Sequence, residues 1–596
     1  MREFGLPALY EVPPDGNLTD LVRRNATRHP RVPVIARRRE GRWEDLTAAD
    51  FLTEVHAVAK GLIAAGVQPG DRVGLLSRTR YEWTLLDFAI WSAGAVTVPV
   101  YETSSPEQVA WILGDSGAVA VVVETAEHAA AVRAVRDRLP ALRHLWSLAD
   151  DAVGRLTREG AGVPDATVDE RAATARADSP ATIVYTSGTT GRPKGCLLTH
   201  RAFFAECGNV VERLRPQFRT GESSLLLFLP TAHVLGRLAQ LAAVMAPIKL
   251  AHLPDTRRLA EELAAFRPTL IVGVPRLFEK VYDTARLRAQ QRGRGRLFDA
   301  AADTAVAYSR ALDTPGGPSL SLRLRRRLFD LLVYRRLRAT LGGRITHAVC
   351  GGARLDERLG HFFRGVGVTV LEGYGLTESC GATAFNAWDR QKIGTVGQPL
   401  PGSVIRIDDG GEVLLHGEHL FSGYWNNPQA TAEALSDGWF HTGDLGTLDA
   451  DGYLRITGRK KETLVTAGGK NVTPTVLEDR IRAHPLVAEC MVVGDGRPYV
   501  AALITLDEEY LARWAERHGK PGRTPRALLD DPDLHAAVQQ AVDEANSAVS
   551  RAESVRRFRL LPVQLTEASG HLTPSLKLRR TVVAKDFARE IEELYA

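Results

Sequence analysis

Along the chain, short apolar runs rich in β-branched residues alternate with stretches whose apolar positions recur every three or four residues. The runs at 72–76, 118–123, 182–185, 225–229, 269–273, 345–349 and 368–371 predict strands, and the patterns at 48–66, 80–94 and 255–266 predict helices. Strand and helix in alternation imply α/β layers with parallel sheet content. From about Gly394 the texture changes to short strands punctuated by Gly, Pro and Asp-Gly pairs, which predicts a compact β-rich subdomain. A run of charge, Arg459 to Glu462, then interrupts the pattern. Beyond it lie strands near 487–493 and 499–506 and a helical stretch ending near Val549. The expectation is an α/β protein with a large N-terminal domain, 1–458, of layered α/β subdomains plus the β-rich subdomain. A small α+β C-terminal domain, 459–596, follows.

One further helical pattern, 319–338, is strongly basic and places Leu320, Leu324, Leu328 and Leu331 on one face. We take that face as turned to the core with the arginines solvated; the alternative is a helix lying on a membrane surface. With 596 residues the chain exceeds one compact core, and 44% hydrophobic with 25% charged residues excludes wholesale disorder. A net charge of +5 is a weak bias on this length and no recognition motif accompanies it, so nucleic acid is not an expected partner. The cysteines (Cys196, Cys207, Cys350, Cys380 and Cys490) are scattered without CxxC pairs, which points to a reducing compartment and away from disulfides or structural zinc. The opening segment lacks the apolar core of a signal peptide, and no apolar run approaches the ~20 residues of a membrane helix. A cytoplasmic protein is expected, with peripheral membrane contact left open.

The most informative local string is Tyr185-Thr-Ser-Gly-Thr-Thr-Gly-Arg-Pro-Lys-Gly195. A buried strand runs into a loop holding three glycines, four hydroxyl residues and one lysine. Glycines let backbone N–H groups approach phosphate oxygens, hydroxyls add donors, and Lys194 supplies a point charge for a polyphosphate. It is not a Walker A loop, because no GK[ST] opens a helix after it.

This string resembles the phosphate loop of the adenylate-forming (AMP-binding) superfamily, which includes acyl-CoA synthetases, peptide-synthetase adenylation domains and firefly-type luciferases. The resemblance continues in order along the chain. Leu229-Pro-Thr-Ala-His-Val234 resembles the acyl-pocket motif and Gly351-Gly352-Ala353 the adenine-contacting turn. Tyr374-Gly-Leu-Thr-Glu378, Gly438-Trp-Phe-His-Thr-Gly-Asp444, Gly458-Arg459 and Pro574-Ser-Leu-Lys577 complete the set. Each residue alone has a plainer reading: Tyr374 as a core aromatic, Asp444 as turn chemistry, Lys577 as a surface lysine. The joint order lifts them above it.

The resemblance implies ATP, Mg²⁺ and coenzyme A as cofactors. Thr186, Ser187, Gly188, Thr189, Thr190, Gly191 and Lys194 would cradle the phosphates. Tyr374 and Gly375 would lie against adenine beside Gly351, Gly352 and Ala353. Thr377 would hydrogen-bond the α-phosphate, Glu378 would hold Mg²⁺, and Asp444 with Arg459 would take the ribose hydroxyls. Lys577 would enter the site only when a mobile C-terminal domain closes, and would there stabilise charge developing in the reaction. His233 completes the catalytic set, lining the pocket as a neutral imidazole. A hinge at Lys461 would then rotate the small domain and bring Gly468, Gly469 and Lys470 to the pantetheine channel.

Several strings resemble the bacterial long-chain fatty acyl-CoA synthetase branch, among them Asp87-Phe-Ala-Ile-Trp-Ser-Ala-Gly94, Gly273-Val-Pro-Arg-Leu-Phe-Glu-Lys280 and Leu572-Thr-Pro-Ser-Leu-Lys577. An amino-acid-activating domain would carry a carboxylate just after the pocket motif, and 232–237 contains none. The implied activity is conversion of a medium- to long-chain fatty acid to acyl-AMP, then transfer to the CoA thiol. The alternatives are a ligase loading an acyl carrier protein, and a non-catalytic nucleotide- or acyl-binding protein. The first usually carries an insertion ahead of the hinge; no extra segment stands between Asp444 and Arg459. Thr231 and Gly236 depart from the branch's usual residues beside the acyl site. Long-chain relatives are often dimers, so a homodimer is left open.

Overall fold

The computed structural model describes residues 1–186, 192–573 and 577–596. Among these, two large sheets form the frame of the N-terminal part. A seven-stranded sheet contains Arg72–Leu76, Val96–Val100, Ala120–Val123, His144–Ser147 and Pro180–Thr186, and a nine-stranded sheet contains Ser224–Leu227, Leu270–Gly273, His347–Cys350 and Thr369–Tyr374. The central pairings of both are parallel. Their strands are apolar at successive positions because helices cover both faces, and that is why they read as continuous runs in the sequence.

Two helices show the same logic. Tyr81–Ser92 buries every residue but Glu82, and Val234–Met245 buries every residue but Leu235. A helix apolar nearly all round has no solvent face to present, so both lie inside the protein. Within that interior Arg237 of one helix pairs with Asp87 of the other, both fully buried. One apolar core runs from Val12 to Leu454 and joins both sheets to the β-rich part.

The β-rich part is a six-stranded, antiparallel sheet built on Ser403–Ile407, Glu412–Gly417, Trp439–Leu448 and Leu454–Arg459, with Glu3–Gly5 added at one edge. Beyond Arg459 a second apolar core, from Val472 to Leu560, packs on one face of the three-stranded sheet Val487–Val493, Val500–Leu506 and Val555–Leu560, and a separate cluster that includes Met491, Ala501 and Leu503 packs on the other. The large α/β part and the small α+β part follow the expected fold class.

One expectation is overturned. The basic segment is helical, as Leu320–Phe329, a π-helical turn at Asp330–Tyr334 and Arg335–Thr340, but its leucine face does not enter the core. Leu320, Leu324, Leu328 and Leu331 are all more than half exposed. The inner face is made instead by Phe329, Tyr334 and Leu337, with the Tyr334 hydroxyl donating to the Ala301 carbonyl (2.7 Å). Phe329 and Tyr334 stand five residues apart, a spacing that the π-helical turn brings onto one side.

Candidate active site

The strand Pro180–Thr186 and the returning strand Lys194–Thr199 pair antiparallel, with Thr186 opposite Lys194. The ends of the phosphate-loop string are thereby fixed within the seven-stranded sheet. Ser187, Gly188, Thr189, Thr190 and Gly191 lie outside the described residues. The Lys194 ammonium sits 4.9 Å from the centre of the Tyr424 ring, and the Tyr424 hydroxyl donates to Glu378 Oε1 (2.8 Å). Burial and the Glu378 carboxylate push the Tyr424 phenol well above its ordinary range. Lys194 and Glu378, 184 positions apart, are thus joined through one aromatic ring. Cys196, fully buried two positions along the strand from Lys194, also lies against Glu378, and its thiol is held well above its usual range by burial.

Thr377 and Glu378 stand on a 3₁₀ turn, Thr377–Ser379, directly after the strand Thr369–Tyr374. Gly375 permits that turn, since a β-carbon there would fall 1.5 Å from the Gly381 carbonyl oxygen. The Tyr374 hydroxyl donates to Asp444 Oδ2 (2.7 Å) and Arg459 Nε lies 3.0 Å from Asp444 Oδ1. Asp444 and Arg459 face one another across the strand pair Trp439–Leu448 and Leu454–Arg459. That register explains how a carboxylate and a guanidinium fifteen positions apart form one unit. Each carboxylate oxygen has a second acceptor direction, so the pair retains capacity for two hydroxyls.

The turn Gly351–Ala353 follows the strand His347–Cys350, which pairs parallel with the strand carrying Tyr374. Gly351 N–H donates to the Gly273 carbonyl (3.1 Å), Gly352 adopts φ +85°, and Gly352 and Ala353 are exposed. Behind it, the buried Glu372 accepts from Leu355 N–H (3.0 Å) and ties the turn to the strand carrying Tyr374. Desolvation raises the Glu372 carboxyl to about 7. The folded state therefore binds its proton more tightly than the unfolded chain. The linked stability is complete below about pH 4.5 and is lost as pH rises through about 7, on the order of 3 kcal/mol in all. Glu372→Gln keeps the acceptor and removes the titration. Urea unfolding at about pH 5 and about pH 8 should show a smaller stability difference in the variant than in the wild type; equal differences would contradict the assignment.

His233 caps the helix Val234–Met245, its Nδ1 accepting from Leu235 N–H (3.2 Å). Burial and then the charge of Lys577 lower the imidazole to about 4, so the ring is neutral near pH 7. Gly236 is small for a packing reason: a β-carbon would lie 2.3 Å from the Pro230 carbonyl oxygen. Thr231 is fully enclosed, and its N–H donates to Thr79 Oγ1 (3.1 Å).

Lys577 reaches this site from the small C-terminal part, keeping one side open to solvent. Its ammonium is lowered by withdrawal from water and then by Arg459, against the opposite pull of Asp444, Glu378 and Glu462. Lys577 is therefore within electrostatic reach of His233, Arg459, Asp444 and Glu378 together. Pro574, Ser575 and Leu576 lie outside the described residues. Gly468, Gly469 and Lys470 are not brought here. They form an exposed hairpin turn whose contacts run to Arg497 and Glu553, with Gly469 at φ +75°. Lys461, the expected hinge, is exposed within the short 3₁₀ turn Lys460–Glu462.

Two profiles match the chain, one described as "AMP-binding enzyme" over residues 22–425 and one as "AMP-binding enzyme C-terminal domain" over residues 461–596. The chain belongs to the AMP-binding enzyme family. A curated relative, "Long-chain-fatty-acid--CoA ligase FadD15" of Mycobacterium bovis, is 50% identical over the full length of both chains. A vertebrate relative, "Long-chain-fatty-acid--CoA ligase ACSBG2" of Xenopus laevis, is 28% identical over 94% of this chain and 81% of its own. Among solved structures, ATP-bound MatB from Rhodopseudomonas palustris aligns with a TM-score of 0.69 at 24% identity, covering 96% of this chain and 99% of that one. A fatty acyl CoA synthetase of Mycobacterium tuberculosis aligns with a TM-score of 0.63 at 23% identity, covering 96% and 99%. These two place the chain in the adenylate-forming fold.

As an AMP-binding enzyme the chain gathers Lys194, Glu378, Tyr374, Asp444, Arg459 and Lys577. Tyr424 and Glu372 join them and were missed in the sequence. Neither belongs to a motif with telling spacing; each acts through a partner distant in the chain.

Proposed function

We propose that this enzyme converts a long-chain fatty carboxylate, with ATP and coenzyme A, to the acyl-CoA thioester. The carrying observation is the electrostatic meeting of Lys577 with Glu378, Asp444 and Arg459; in this reading Lys577 belongs to a small C-terminal domain (459–596) that would turn on a hinge at Lys461 against the large one (1–458). The full-length relative named as a long-chain ligase supports the substrate class.

In the first half-reaction a carboxylate oxygen attacks the α-phosphorus of ATP, the bond to the β-phosphate breaks, and pyrophosphate leaves toward Lys194. The enzyme's part is to hold these atoms in line and to stabilise charge. Asp444 and Arg459 hold the ribose, Tyr374 the adenine, Thr377 the α-phosphate. Neutral His233 lines the acyl pocket and need not take a proton, because the nucleophile is already ionised. Among the described residues no group of three or more His, Cys, Asp or Glu side chains gathers as a metal cage. The single carboxylate of Glu378, oriented by Tyr424, fits Mg²⁺, which commonly binds one or two carboxylates and takes its other ligands from phosphate and water. When bound, the ion offsets phosphate charge.

In the second half-reaction the CoA sulfur attacks the acyl carbon, AMP leaves, and the thiol proton passes to solvent. Withdrawal of Lys577 and approach of Gly468, Gly469 and Lys470 would accompany it. The Asp444–Arg459 register, closed by the short turn 449–453, leaves no inserted segment of the kind that marks carrier-protein loading, which favours CoA. Five buried, unpaired cysteines support a reducing, cytoplasmic setting; among the described residues no helix is long and apolar enough to cross a membrane.

The test is mass spectrometry of products from protein, MgATP, CoA and acids ranging from acetate to stearate. Acyl-CoA formed preferentially from the longer acids is expected. Acyl-AMP accumulating without thioester would overturn the acceptor, and a preference for short acids would overturn the substrate class.

A further inference from the structure

The outward leucine face has no role in the chemistry above. Of the eleven exposed large apolar side chains among the described residues, five fall between 320 and 332: Leu320, Leu324, Leu328, Leu331 and Leu332. Scattered single leucines on a surface are ordinary; a ridge at helical spacing is not. Leu320 is 77% exposed and Leu324 64% exposed, so the ridge stands proud of the surface rather than lining a groove.

The arginines divide by face. Those turned inward hold the helix to its support: Arg326 Nε donates to the Gly365 carbonyl (2.8 Å) and Arg338 Nη1 to the Val366 carbonyl (2.6 Å). Arg335 and Arg338 also take both oxygens of Asp330, the one acid between 320 and 340. Arg325, Arg327 and Arg336 are exposed and make no ion pair among the described residues. At about 100° per residue the leucine ridge spans a sector with Arg327 on one flank and Arg325 on the other. The polar face is thus cationic on both sides of an apolar stripe.

We propose that this face of the 320–340 segment docks on an anionic lipid bilayer. The leucines would enter the boundary between headgroups and acyl chains while the guanidinium groups stay among the phosphates. Charge selects this occupant over a second copy of the chain. Two such faces meeting would oppose unpaired arginines, with the single nearby carboxylate already engaged. The ridge's convexity favours a fluid surface over a partner helix, which needs a groove.

The test is flotation of the full-length protein with vesicles of phosphatidylcholine, or of equal parts phosphatidylcholine and phosphatidylglycerol. The wild type should partition preferentially onto the mixed vesicles, less so as salt is raised. The triple variant R325Q/R327Q/R336Q, which removes three charges, should lose about a hundredfold in that partitioning, from roughly 1 kcal/mol per charge. L320Q/L324Q/L328Q/L331Q should lose at least about tenfold, since these residues supply the apolar contact. All four leucines are exposed, so folding and acyl-CoA formation from a soluble medium-chain acid should be unchanged, which separates this result from failure of the enzymatic reading. Wild-type binding indifferent to phosphatidylglycerol would overturn the proposal. So would leucine variants that bind like the wild type, or that convert a dimer to a monomer without changing vesicle binding.

Discussion

Lys577→Ala is expected to slow acyl-AMP formation by roughly 10²- to 10³-fold, the scale of removing one preorganised charge-stabilising group. Thioester formation from supplied acyl-adenylate should continue near the wild-type rate. The asymmetry follows from where Lys577 stands. Lys577 N–H donates to Thr573 Oγ1 (3.0 Å) and Thr573 N–H to the Lys577 carbonyl (2.8 Å), so the backbone is clamped on both sides of 574–576. The side chain is presented to Asp444 and Glu378, whose negative charge favours its ammonium form against desolvation and Arg459. In the proposed function that position would serve a step in which negative charge builds beside the α-phosphorus. Nothing comparable ties Lys577 to the exposed turn Gly468–Lys470, where the thiol step is assigned. ATP–pyrophosphate exchange reads the first half-reaction and single-turnover thiolysis the second. Equal loss in both would remove Lys577 from the adenylation step and leave it a structural role.

The parts legible in the sequence are those whose cause is local. Strands such as Arg72–Leu76 and Leu270–Gly273 are buried on both faces, so composition alone marks them. The motifs that resemble the family name Asp444, Arg459 and Lys577 by type and order. What they cannot supply is pairing. That Asp444 stands opposite Arg459 depends on hairpin register, and that Tyr424 orients Glu378 depends on a contact across 46 positions. Periodicity likewise found the leucine stripe at 320–331 but not the side it faces. The spacing of apolar residues fixes where a stripe runs around the helix axis, and it carries no information on what the stripe meets. Gly236 reads as a departure at the acyl pocket, whereas it is set by the nearby Pro230 carbonyl.

Arg237→Met is expected to destabilise the large domain by about 3–5 kcal/mol, the cost of leaving a buried charge without its partner. Arg237 and Asp87 are both fully buried and directly paired. The Asp87 carboxylate also accepts from Thr97 Oγ1 (2.8 Å) and Gln240 Nε2 (3.1 Å), while Arg237 Nη1 donates to Thr182 Oγ1 (2.5 Å). Trp83, Trp91 and Phe203 surround the guanidinium at 5.2–5.7 Å from their ring centres. Burial opposes charge on both partners, raising the Asp87 carboxyl and lowering the guanidinium, and each offsets the other's penalty. With Arg237 gone, Asp87 must either stay charged without a counterion or take up a proton. The double variant Asp87→Leu, Arg237→Met removes both charges and should recover much of the loss, as apolar replacement of a buried pair often does. Urea unfolding followed by tryptophan emission compares the three proteins. The pair also fastens the site: Arg237 rides on the helix capped by His233, and Thr182 lies on the strand that leads to Thr186. The single variant should therefore raise KM for the fatty acid and for ATP together, since one guanidinium joins the helix proposed to line the acyl pocket to the strand that leads into the proposed phosphate loop. A single variant as stable as the double would show that packing, not the uncompensated charge, sets the cost, and unchanged KM values would detach the pair from the site.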